Sequence, residues 1–193
     1  MSRQEAVLVT GYKPHELGIF SADHPGIPVI RYGLKVQMRQ LAGEGAKWFV
    51  ISGQPGVELW AADVCLELKR EERLDVRLAV LPPFLDQEER YPGWVREQYD
   101  KILQAADFSE PISNRPYQSP LQLRQKNDFL TEKTDALLIL YDEEKPGSPD
   151  YYLTAARRKA QKQSYPIFFI DRYDLDTAAE EWKEQSPDYW SQM

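Results

Sequence analysis

Three short stretches carry residue types whose spacing suits chemistry on a ligand. In the first, an apolar run, Trp48-Phe49-Val50-Ile51, breaks at Ser52-Gly53-Gln54-Pro55-Gly56 and passes directly into a helical pattern in which Val57, Ala61, Val64, Cys65 and Leu68 share one face. A buried strand, a glycine turn and a helix start together offer an anion site. Glycine lets a ligand approach the backbone, and the first N–H groups of the helix have no partner of their own. Gly53 and Gly56 serve equally well to make a tight turn. Glu58 lies in the first helical turn, where a carboxylate is favoured even without ligand. As a ligand residue it would accept from ribose hydroxyls, because it repels a phosphate at the same helix end. In an enzyme it would be the acid–base residue. Trp60 could stack on a base, although packing explains it equally.

The second stretch is Arg124-x-x-Asn127, one helical turn apart on a single face. Arginine offers a fork for phosphate, and asparagine reads an amide or hydroxyl edge. An ion pair of Arg124 with Asp128 or Glu132 is the plainer alternative, and Lys126 and Asp135 are weaker candidates. The third is the turn at Gly147-Ser148, where Ser148 suits a helix N-cap, Pro149 the first helical position and Asp150 the positive helix end. Pro149 lacks an N–H and Asp150 repels phosphate, so this turn would face sugar or base. Gly11, with Tyr12 and Lys13 directly after it, is the remaining glycine turn that follows a strand.

The elements that must position these residues alternate. Strands are expected at residues 6–10, 48–51, 76–81, 136–141 and 167–170, with a weaker one near 107–112. Helices are expected at 29–42, 56–70, 92–106, 121–130, from 148 onward and at 175–183, and residues 12–28 read as a long Gly/Pro-rich connection bordering the Gly11 edge. Strands that are apolar throughout and separated by helices predict a single-domain, Rossmann-like three-layer α/β/α sandwich with a mostly parallel sheet. Its core would span about residues 5–171, with a helical tail over 172–193. Ligands of such sheets bind beyond the carboxyl ends of the strands, so Gly11, Gly53 and the 142–148 turn should meet at one edge.

Bulk properties narrow the function classes. The 193 residues carry a net charge of −7, which disfavours sequence-independent contact with nucleic acid or anionic lipid. Arg157-Arg158-Lys159 with Lys162 reads as a solvated helix face. No apolar run is long enough to span a bilayer, and the N-terminus lacks the plan of a signal peptide. The single cysteine, Cys65, falls on the buried helix face, which fits a reducing cytoplasm. His15 and His24 lack metal-ligand spacing, so no metal is expected.

Taken together, Thr10-Gly11, Ser52-Gly53-x-x-Gly56-Val57-Glu58, Arg124-x-x-Asn127, Gly147-Ser148 and Thr154-Ala155-Ala156 resemble the SLOG superfamily. It groups the DNA-processing protein DprA, the LOG phosphoribohydrolases and nucleotide-sensing Rossmann-like proteins. Val9-Thr10-Gly11-Tyr12-Lys13 and the 53–58 segment are most similar to its YpsA-like branch from Gram-positive bacteria. The resemblance implies a nucleotide, nucleotide-sugar or ADP-ribose-type ligand, no obligatory cofactor, and a link to cell-division proteins. It leaves room for a homo-oligomer. Contacts would come from Gly11, Tyr12, Ser52, Gly53, Gly56, Glu58, Arg124, Asn127, Gly147 and Ser148. The LOG motif P-G-G-x-G-T-x-x-E matches neither glycine turn here, and DprA has Asp where this chain has Glu58. The expected activity is therefore ligand-dependent regulation. Nucleoside monophosphate hydrolysis by Glu58 is the alternative, and DprA-like single-strand binding a weaker one.

Overall fold

Each apolar run becomes a strand because helices cover both of its sides, leaving no reason for polar alternation. In the computed structural model, which describes residues 4–186 and 191, the strands are β1 (Ala6–Gly11), β2 (Trp48–Ile51), β3 (Arg77–Val80), β4 (Phe108–Ser109), β5 (Ala136–Leu140) and β6 (Ile167–Ile170). They form one all-parallel sheet in the order β4-β3-β2-β1-β5-β6. The helices are α1 (Gly26–Gly43), α2 (Val57–Glu71), α3 (Gly93–Ala105), α4 (Leu121–Lys133), α5 (Asp150–Ala160) and α6 (Arg172–Glu184). α1 packs on α2 and α6, α2 on α3, and α4 on α5. That is the Rossmann-like sandwich the strand–helix alternation predicts.

The chain builds outward from β1 through β2, β3 and β4, then returns to place β5 on the other side of β1. The strand order therefore reverses between β1 and β5, which opens a crevice at their carboxyl ends. Thr10 and Gly11 pair with Ile139 and Leu140 in register, so both strands end level beneath that crevice.

Several element ends differ from expectation for local reasons. α1 begins at Gly26 rather than near residue 29, because Pro28 falls in the first helical turn, where no N–H is needed. β4 shrinks to two residues, since Pro111 cannot donate to a longer ladder. α4 runs three residues past the expected end. α6 starts at Arg172 rather than residue 175, because Asp171 caps it: its side chain accepts from Tyr173 N and Asp174 N, and Asp174 accepts from Asp171 N in return. Of the expected 172–193 tail, residues 187–190, 192 and 193 lie outside the described residues.

The glycine turns close the crevice floor by packing on one another. Gly56 has φ +94°, and a Cβ there would lie 2.5 Å from the Tyr12 carbonyl and 3.0 Å from Lys13 Cα. A Cβ on Gly11 would meet the Val57 side chain at 2.7 Å. Gly56→Ala thus combines left-handed strain with a backbone clash, and is expected to cost about 2–5 kcal/mol of stability. Urea unfolding measures this, and an unchanged midpoint would remove the close-packing account of the turn.

Candidate functional site

The turn after β2 is organised around Glu58. This side chain is 0% exposed, and its carboxylate accepts from Ser52 N and Ser52 Oγ, both at 2.8 Å, from Thr10 Oγ1 at 2.9 Å, and from the Tyr152 hydroxyl at 3.2 Å. Gln54 N adds a longer contact of 3.4 Å. One carboxylate thereby ties the ends of β1 and β2 to α5. Gly53 is enclosed as well: its carbonyl accepts from the Tyr91 hydroxyl, and a Cβ there would strike Tyr99 at 2.6 Å. The Val57 N–H donates to the Tyr12 carbonyl, so the start of α2 is covered by chain. Trp60 lies in the core, and burial pushes the Cys65 thiol up to about 12.

A second set of bonds straps the β1–α1 connection to the turn after β5. The Tyr12 hydroxyl donates to the Lys145 carbonyl at 2.6 Å and receives the Asp142 N–H. Glu16, in a 3-10 turn over Pro14–Leu17, accepts from Ser148 N, Ser148 Oγ and Lys13 N at 2.7–2.8 Å. Ser148 is therefore not the N-cap of α5 that its position suggested: α5 starts at Asp150 with no side-chain cap, because the hydroxyl donates to a carboxylate instead. Gly147 gives Glu16 room, since a Cβ there would sit 2.7 Å from its Oε1. Burial alone would raise the Glu16 carboxyl, but the bonds from Ser148 and Lys13 outweigh it and hold it below its ordinary value. A carboxylate with a depressed folded value contributes stability above its unfolded value and loses it as pH falls through the folded one. We expect the protection of amides around residues 142–148, relative to their intrinsic exchange at each pH, to fall in the wild type as pH drops below the ordinary carboxylate range. In Glu16→Gln that protection should be low at every pH.

Beside this scaffold a cavity of about 620 Å³ opens between α4 and α5, over the β1/β5 reversal. Lys13, Arg124, Lys126 and Arg158 line it against a single carboxylate, Asp128. Lys126 is only 5% exposed. Its Nζ lies 4.5 Å from the centre of the Tyr152 ring and has no hydrogen-bond or ion-pair partner among the described residues. Burial pushes the amine down to about 8, against the pull of Glu58, and Lys13 adds repulsion. Among the described residues the Arg124 side chain also lacks a partner, while Arg158 reaches Asp128 only at 4.0 Å. The buried Asn127 Oδ1 and Thr131 Oγ1 accept nothing. Tyr151, 71% exposed, supplies a flat ring to the lining, together with Leu123 of α4 and Pro120 just before that helix.

The pocket follows from an inverted helix. Along α4, Gln122, Lys126, Asn127 and Thr131 are buried beside Leu130, whereas Leu121, Leu123 and Phe129 are exposed. Its far end is held by Lys159 of α5, whose Nζ donates to the carbonyls of Thr131, Glu132 and Thr134 at 2.8–3.0 Å.

Of the residues proposed from sequence, Arg124, Asn127 and Ser148 line this cavity. Gly11, Tyr12, Ser52, Gly53, Gly56, Glu58 and Gly147 form the packed floor and straps behind it. Lys13 and Thr154 also reach it, and so do Gln54, Tyr151, Tyr152, Lys126 and Arg158, whose spacing in the sequence gives them no distinct site signature. The signal for the burial of Lys126 is its position three residues after Leu123 and four before Leu130, on the helix face that Leu130 shares.

Fold and crevice together define a Rossmann-like protein with a cation-lined pocket at its strand-order reversal. More particularly, the chain belongs to the YpsA SLOG family: the profile described as the YspA SLOG family matches residues 7–175. The UPF0398 protein BH1768 of Halalkalibacterium halodurans is 50% identical over 177 residues, covering 92% of this chain and 93% of that one. A UPF0398 protein of Bacillus thuringiensis is 48% identical over 177 residues, covering 92% and 96%. Among solved structures, DNA processing protein A from Helicobacter pylori, described for its single-stranded DNA binding mode, superposes with a TM-score of 0.51 at 19% identity. That match covers 86% of this chain and spans 65% of the other, and it supports the shared fold. No described helix is long and apolar enough to cross a membrane.

Proposed function

We propose that this chain is a cytoplasmic regulatory protein that binds a nucleotide-type ligand in the α4–α5 pocket. The observation that carries the reading is Lys126, a residue only 5% exposed whose ammonium has no anionic or hydrogen-bonding partner among the described residues and faces a cavity that three further cations line. A buried charge is retained against its desolvation cost when something pairs with it, and a phosphate is the fitting partner. Phosphate would sit against Lys126, Lys13 and Arg124, with sugar hydroxyls reaching Asn127 and Ser148. The base would lie by Tyr151 and Leu123. Glu58 positions the floor and meets no ligand, because its oxygens are filled from within. The exposed apolar residues of α4 give ligand occupancy a route to a protein partner, in keeping with the cell-division link that the family resemblance implies.

Titration of the wild type with AMP, ADP, ADP-ribose and NAD, followed by calorimetry and thermal shift, tests this. Saturable binding is expected for at least one of them, weakened roughly a hundredfold or more in Lys126→Met. Absence of binding by the wild type at millimolar concentration would overturn the proposal.

A further inference from the structure

Lys126 lacks an ion pair among the described residues; Lys13, Lys133, Lys145 and Lys162 also lack one, but of these five lysines Lys126 alone is buried. Lys35, Lys47, Lys69, Lys101 and Lys183 are each ion-paired, and Lys159 is saturated by three carbonyls. Lys126 lies against the face of Tyr152, at 4.5 Å, and among the described residues no donor bonds to its nitrogen, so the lone pair once deprotonated is free to react. It opens on a cavity of about 620 Å³ whose remaining cations suit a phosphate, and Tyr151 and Leu123 provide an apolar wall.

We infer that Lys126 is a carbonyl-trapping amine, which forms an imine with the aldehyde of a phosphorylated ligand, such as an open-chain sugar phosphate, held in this pocket. The inference rests on the pocket being an anion site as proposed above. The neutral amine adds to the carbonyl carbon, and the proton lost from nitrogen passes through water to the carbonyl oxygen. The carbinolamine then expels that oxygen as water and leaves a protonated imine. Overall one ammonium and one aldehyde give one iminium ion and one water, so no oxidant or reductant is needed. The positive charge stays where the Glu58 field already favours it. Burial supports the reactivity as well. With its amine at about 8, Lys126 holds roughly a hundredfold more of the neutral form near neutral pH than an ordinary lysine does.

Pyridoxal 5′-phosphate serves as the aldehyde probe and pyridoxine 5′-phosphate as its unreactive alcohol counterpart. The wild type and Lys126→Arg would each be incubated with equimolar aldehyde, reduced with borohydride, digested and mapped by mass spectrometry. Alcohol binding would be measured in parallel by thermal shift. Reduced adduct on Lys126 at least about tenfold above any other lysine, absent from Lys126→Arg, is the expected result. Binding of the alcohol to the wild type should accompany it. Alcohol binding without selective labelling would overturn the imine and leave the anion pocket standing. If the alcohol fails to bind the wild type and labelling is spread over surface lysines, the pocket reading falls with it.

Discussion

Glu58→Ala is expected to lower the unfolding free energy by about 3–5 kcal/mol, the range found when one partner of a buried charged network is removed. The loss comes from the donors left behind. Thr10 Oγ1, Ser52 N, Ser52 Oγ and the Tyr152 hydroxyl all converge on this carboxylate in a region without solvent. Ser52 N is a backbone group that cannot turn away, so its cost is the hardest to relieve. For a chain of this size the melting temperature should fall by roughly 6–20 °C. Glu58→Gln keeps the shape and one acceptor oxygen, and the hydroxyls of Thr10 and Tyr152 can rotate to accept from the new amide. Its loss should be only about 1–2 kcal/mol, and ligand affinity should be retained. Denaturant melts of both variants, followed by titration of Glu58→Gln, separate a scaffold residue from a catalytic one. An alanine variant as stable as the wild type would return Glu58 to the ligand.

Lys126→Met is expected to do the reverse, raising stability while weakening binding. A lysine held at about 8 instead of its ordinary 10.5 represents about 3 kcal/mol of cost for keeping the buried amine charged at neutral pH. Methionine fills similar space and removes that cost, so a gain of roughly 1–3 kcal/mol should remain after the contact with Tyr152 is lost. Because the folded value is depressed, the native state binds fewer protons than the unfolded one between about pH 8 and 10.5. Wild-type stability therefore rises with pH across this window, and the advantage of the variant shrinks there. The charged and titrating groups around the amine are Glu58 on α2, Lys13 before the 3-10 turn, Arg124 and Asp128 on α4, and Tyr152 and Arg158 on α5. Burial raises the Tyr152 hydroxyl well above its ordinary value, so it stays neutral throughout. Anion affinity of the wild type should fall as pH rises past about 8, since the ammonium is what attracts the ligand. Unfolding curves at several pH values check the first claim, and a variant no more stable than the wild type at neutral pH would contradict it.

The sheet was legible because its strands are unbroken apolar runs, and a run such as Ala136–Leu140 has no other stable home than a strand covered on both faces. Convergence of the glycine turns follows from parallel order alone. What the spacing of Gly53, Gly56 and Glu58 could not reveal is which way they face. A glycine that admits a ligand and a glycine that admits Tyr99 look identical in one dimension, and so do a carboxylate reaching sugar and one reaching Ser52. The pocket was harder to read because it depends on a helix whose polar side is buried. Hydrophobic periodicity is weak along α4, and the packing of α5 decides which of its polar residues turn inward.

The grip of Lys159 on the last carbonyls of α4 has a mechanical meaning. It binds the two helices at one end like the spine of a book, while the opposite end, near Pro120 and Lys13, has no comparable clasp among the described residues. Any breathing of the crevice must then fan open at Leu121 and stay shut at Thr134. A ligand that closes the pages would be felt most at the exposed end of α4, and hydrogen exchange should slow there on binding while residues near the spine hardly change.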